Sequence, residues 1–209
     1  MAFDLQEQEQ IDSLKIHWRQ WGRWVVLAVG CLALAYIGYR GYCLYRVRQV
    51  EASAAVYVDL EQAARTQDLA TVKSAAARIE ADYPSSPYAV RAAFLAARAA
   101  FDKNDLAYSS AQLTWAAANT KEPALLALAQ LRLASVMLDQ KQYDGAVAVL
   151  NRPHDAAYDA LYYDAKGDAF FLKGDKGAAR DAYRAALAKL AGDSPSHQYV
   201  QTKLDALGG

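Results

Sequence analysis

The side chains able to do acid–base, nucleophilic or metal chemistry in this sequence are few and scattered. Three histidines, His17, His154 and His197, share no metal-ligand spacing, the last two lying 43 residues apart. His154 follows Pro153 and is expected in a loop. There is no GxSxG, no glycine-rich phosphate loop and no HExxH. Asp164 and Asp168, at i and i+4, share a helix face that could hold a metal, but a solvated pair offset by a nearby lysine is the commoner arrangement. The two cysteines, Cys31 and Cys43, would lie about 18 Å apart along one helix and cannot bridge within it. An enzyme with an unrecognised carboxylate site is the weakest of the readings. The expectation is a non-catalytic protein that works by binding, with no cofactor.

The elements that must position any binding residues are helices. Of 209 residues, 45 are alanine, 11 glycine and 5 proline, a composition that favours helix because alanine loses least on entering one. Zero formal net charge and a pI near 6.8 without a basic cluster argue against nucleic acid as a partner. Few closely spaced turn signals argue against a β-sandwich or barrel.

Charge is absent from Trp24 to Tyr39 (WVVLAVGCLALAYIGY) and sparse up to Tyr45. The 22 residues 24–45 would reach about 33 Å as a helix, enough for a bilayer core of about 30 Å. Trp18, Trp21 and Trp24 precede the segment, and Tyr36, Tyr39, Tyr42 and Tyr45 mark its far end, as rings at the headgroup level would. Gly38 and Gly41 would let another helix approach closely, a weak signal by itself. Residues 1–23 are then a short tail, 24–45 an uncleaved transmembrane helix in membrane lipid, and 46–209 the remaining domain. Two rivals stay open: a buried core helix, and a signal peptide cleaved near Ala35. Asp4, Glu7, Glu9 and Asp12 in the tail are unlike a basic signal-peptide start. Lys15, Arg19 and Arg23 before the segment balance Arg40, Arg46 and Arg48 after it, so charge gives no orientation.

Beyond Val50 the pattern predicts helices of about 12 to 16 residues parted by short polar turns. Prolines mark every second turn, at 84 and 87, 123, 153 and 195. In LYYDAKGDAFFLKGDKGAARDAYRAALAKL, Gly167 is followed by Phe170, Gly174, Ala179, Tyr183 and Ala186. This resembles the tetratricopeptide (TPR) motif, in which small residues let two helices cross closely. The template starts at Ala160 and fits from Ala127, less well from Val90, where Ser109 takes the usual alanine slot, and loosely from Ser53, where Val72 takes it. The expected fold is all-α: a single N-terminal transmembrane helix, then a TPR-like α-solenoid of about four helical hairpins, with a generic alanine-rich bundle as the alternative. Residues 196–207, with Tyr199, Val200, Leu204 and Leu207 as one apolar stripe, are expected to cap the stack.

First helices of such hairpins line a concave surface. Projection of the template places Tyr57, Glu61, Arg91, Phe94, Arg98, Leu128, Leu131, Asp164 and Asp168 on it. Of these, Tyr57, Arg91, Phe94, Arg98, Leu131 and Asp164 are the candidate groove residues. Arg91 and Arg98 with Phe94 between them suit an acidic or extended peptide, although Phe94 and Leu131 fit inter-repeat core equally well. The domain from residue 50 carries 17 Lys and Arg against 19 Asp and Glu, too balanced for a strong field.

Taken together, the acidic start FDLQEQEQIDSLKIHWRQWG, the span WVVLAVGCLALAYIGYR and the terminal pair DAKGDAFFLKGDKGAARDAYRAAL resemble the ancillary subunits of the SecYEG translocon (YfgM-like), a bacterial family, over nearly the full length. The resemblance implies a single-pass inner-membrane protein with its N-terminus in the cytoplasm and its repeats in the periplasm. It further implies association with the SecYEG translocon and with a membrane-bound periplasmic chaperone related to peptidyl-prolyl isomerases (PPIase-like). A TPR adaptor for another envelope complex, a scaffold facing the cytoplasm, or a secreted protein remain alternatives.

Overall fold

The computed structural model describes residues 2–208, with side chains for residue 15 and for residues 18–208. Met1, Gly209 and the side chains of Asp4, Glu7, Glu9, Asp12 and His17 lie outside the described residues. Regular structure among the described residues is entirely helical. The helices are α1 (Ala2–Arg65), α2 (Leu69–Asp82), α3 (Ala89–Asp102), α4 (Leu106–Asn119), α5 (Pro123–Asp139), α6 (Tyr143–Leu150), α7 (Asp159–Lys173), α8 (Lys176–Leu187) and α9 (Pro195–Asp205), with one 3₁₀ turn at Ala156–Tyr158. The chain divides into two units, Met1–Gln49 and Val50–Gly209.

In the first unit α1 is a bare apolar rod. Trp18, Leu27, Leu32, Leu34 and Ile37 are 59 to 71% exposed. Leaving one such side chain in water forfeits about 1.5–3 kcal/mol that burial would return. Only 6% of the most apolar stretch of α1 is buried, which removes the buried-core-helix alternative. This is one helix long and apolar enough to cross a membrane.

The second unit repeats one hairpin four times, the last turns of α1 serving as the first helix of the first. Two template slots are buried in every copy: Leu60, Ala97, Ala134 and Gly167 in the first helix, and Val72, Ser109, Ala146 and Ala179 in the second. Mostly small side chains here let helix axes approach, and cores of alanine (Ala92, Ala93 and Ala96, all 0% exposed) follow from it. At Gly167 the need is sharpest, because an added Cβ would come within 2.3 Å of the Tyr183 ring.

The turn inside each hairpin also repeats. Gln67, Asn104, Lys141 and Gly174 take left-handed backbone, with φ of 57°, 60°, 59° and 91°. The next amide donates back to the carbonyl five residues earlier: Asp68 to Ala63, Asp105 to Ala100, Gln142 to Met137 and Asp175 to Phe170, at 2.8–2.9 Å. Asp68, Asp105 and Asp175 then cap the second helix, accepting from the amides of Thr71, Tyr108 and Ala178.

Three details depart from the expected pattern. Helix α6 has only 8 residues and α5 has 17. Gln142 makes no side-chain cap at the start of α6, and Pro153 lies just beyond its end, where the residue before a proline is pushed out of the helical region. Tyr199 is 62% exposed, so the buried stripe of α9 is Val200 and Leu204, with Leu207 against them.

Candidate functional site

The six candidate groove residues do not form one surface. Tyr57 is half-buried with its ring 5.2 Å from that of Tyr88. Burial pushes its phenol up, the Glu61 carboxylate adds to this, and the exposed Arg91 opposes it. Leu131 packs into the core shared by the third and fourth hairpins, with Ala127, Ala134, Leu150 and Tyr162. Its role there is packing.

Phe94 and Arg98 are brought together, in a crevice of about 200 Å³ between α3 and α5 with α4 as its floor. The Arg98 Nε donates to the Asp102 carboxylate at 2.9 Å. The facing wall carries Arg132, whose guanidinium lies 5.4 Å above the Phe94 ring, a cation–π contact. Phe101, 38% exposed, completes the apolar side, and Ser109 lines the floor. The template projection missed Arg132 because it falls one residue past Leu131. It is nevertheless the only cation in the helix PALLALAQLRLASVMLD, a signal open to the sequence.

Asp164 lies in a different place, a crevice of about 330 Å³ between α7 and α9 with Leu161, Leu190 and Tyr199. There the Lys203 ammonium of α9 donates to Asp164 at 2.9 Å and to Asp168 at 2.8 Å. Burial raises the Asp164 carboxyl, with Lys203 opposing. Lys203 itself is raised, because hydrogen bonds to Asp168 and Asp164 outweigh its own burial. The Tyr183 hydroxyl also donates to Asp168 at 2.8 Å, and the combination of burial and that carboxylate drives its phenol far up. The acidic pair thus anchors the cap helix.

His154 lies in the loop after α6, stacked on the Tyr162 ring with centroids 3.6 Å apart. The Tyr162 hydroxyl donates to the buried Gln130 side chain at 2.6 Å, and burial pushes its pKa up to about 12. This histidine joins the third hairpin to the fourth. Among the described residues no group of three His, Cys, Asp or Glu side chains stands close enough to hold a metal ion.

A family model described as a tetratricopeptide repeat-like domain matches residues 15–209. A protein of Neisseria gonorrhoeae named an ancillary SecYEG translocon subunit is 33% identical, the match covering 99% of this chain and 100% of that one. Proteins of the same name from Haemophilus influenzae and Escherichia coli are 26% and 30% identical, covering 99% and 86% of this chain and 100% and 86% of theirs. With a tetratricopeptide-like array following one long apolar helix, the chain belongs to the family of ancillary SecYEG translocon subunits.

Proposed function

We propose that this protein is a non-catalytic, single-pass inner-membrane subunit that docks beside the SecYEG translocon and offers its repeat domain to polypeptide on the far side of the membrane. Residues 24–45 form the span, 1–23 a cytoplasmic tail and 46–209 a periplasmic domain. The observation that carries the reading is the match, end to end, with relatives named for the translocon. The uncovered apolar surface of α1 supports the span, since lipid replaces the water it would otherwise face. A membrane-bound PPIase-like chaperone is the second partner, and the hand-over of secreted chains to such helpers is the task. Of the candidate groove residues, Phe94 and Arg98, together with Arg132, form the receptive part of the array.

Affinity capture of the full chain from detergent extract is expected to recover translocon subunits and the chaperone. Exchange of residues 24–45 for an unrelated apolar helix is expected to lose the translocon. Protease added to spheroplasts should digest the repeat domain. Recovery of bulk membrane protein alone, or a protected repeat domain, would overturn the reading.

A further inference from the structure

The crevice between α3 and α5 is cationic and apolar at once. Two guanidinium groups, Arg98 and Arg132, line it, and no carboxylate does. Arg98 is held by Asp102, whereas Arg132 has no acidic partner among the described residues and rests on the Phe94 ring. The floor residue Ser109 is 1% exposed. The same slot in the other hairpins holds Val72, Ala146 and Ala179, none of which brings a polar group to the crossing. The crevice at the other end of the array gives the contrast, for there Asp164 and Asp168 are already matched by Lys203.

We infer that this crevice is a subsite for an extended polypeptide carrying a bulky apolar side chain next to an aspartate or glutamate. The apolar group enters between Phe94 and Phe101, in a space sized for one large side chain. The neighbouring carboxylate accepts from the Arg132 guanidinium, whose planar fork suits it. Two cations facing no acidic lining select against a basic segment, which would bring like charges together. The inference rests on the reading that the repeat domain receives polypeptide, and adds what that polypeptide must contain.

The probe is a short acetylated and amidated Gly/Ser peptide with a central Leu-Phe-Asp, labelled for fluorescence anisotropy, against the full chain in lipid nanodiscs. Blocked ends leave the side-chain carboxylate as the only acid. The Asp peptide is expected to bind roughly tenfold tighter than its Asn counterpart, the scale of one hydrogen bond to a charged group. Arg132→Gln is expected to erase that preference. Ser135→Trp, at an exposed position in the crevice wall, is expected to block both peptides without disturbing packing. Circular dichroism checks that both variants keep their helix content. Equal binding of Asp and Asn peptides by the native chain would overturn the proposal, as would an intact preference in Arg132→Gln. Self-association of the native chain that Ser135→Trp abolishes, with no peptide bound, would give the crevice to a second copy instead. Capture of translocon subunits runs in parallel. Capture without peptide preference removes the subsite alone, and peptide preference without capture removes the translocon reading alone.

Discussion

Hairpins α7/α8 and α3/α4 use the same slots and end in different surfaces. In α7/α8 the crossing is Gly167 under the Tyr183 ring, and the Tyr183 hydroxyl reaches Asp168, the carboxylate that also holds Lys203 of the cap. In α3/α4 the equivalent residues are Ala97 and Leu113. Leucine is too short to reach across as tyrosine does, and the space beside the crossing stays open as the crevice with Phe94 and Arg132. The pair at the crossing thus differs between the two hairpins along with the surface beside it.

The largest expected effect tests that pair. Gly167→Val puts branched carbon where the Tyr183 ring sits, and the ring, buried and tied to Asp168, has nowhere to go. A loss of about 3 kcal/mol is expected, the upper range for overpacking. Hydrogen exchange should show α7, α8 and α9 loosening together. At the matching slot Ala97→Gly should lose only about 1–2 kcal/mol, from one buried methyl and the added chain entropy of glycine. Equal losses at the two slots would break the comparison.

Turn chemistry gives the next effect. Gly174 has φ of 91°, which a Cβ disfavours, so Gly174→Ala should cost about 1 kcal/mol in thermal unfolding. In α3/α4 the same turn is made by Asn104 at φ 60°, and Asn104→Gly should be neutral or gain a few tenths of a kcal/mol.

These contrasts also show which parts of the molecule were legible. The slots at 97, 109, 134, 146, 167 and 179 could be found by spacing, because helix crossing depends on residue size and residue size is written in the sequence. The left-handed turns at Gln67, Asn104 and Lys141 carried no glycine to mark them, and only their repeated place before the second helix betrays them. The short α6 was hidden too, since its missing cap and following Pro153 act together. The crevice was half visible. Phe94 and Arg98 follow from the template, but Arg132 comes from the next hairpin, and its contact with Phe94 depends on how two repeats stack. Asp164 was placed on an open groove, yet Lys203, 39 residues later, covers it. Local spacing encodes a hairpin, whereas partners across repeats are set by the superhelix.

The smallest effect concerns the caps of the two hairpins and carries a sign in pH. Asp105 caps α4 and also accepts from Lys73 of α2 at 2.6 Å; hydrogen bonds from Lys73 first and the Tyr108 amide second hold its carboxyl below the usual range. A carboxyl lowered on folding adds stability above its unfolded pKa and loses it as pH falls through the folded one. Asp105→Asn keeps the cap acceptor and removes the charge. At neutral pH it should cost at most about 1 kcal/mol, since the pair is partly exposed. That difference should begin to shrink as pH falls below about 4, where the unfolded chain takes up the proton, and should vanish only once pH has fallen through the lowered folded pKa of Asp105. Asp175→Asn, which likewise keeps its cap to Ala178 but faces no such lysine across a hairpin boundary, is the matched control. Melting curves of both variants across this range separate the two caps. A pH-independent gap at position 105 would mean that cap geometry, and not the link between the first and second hairpins, is what the aspartate supplies.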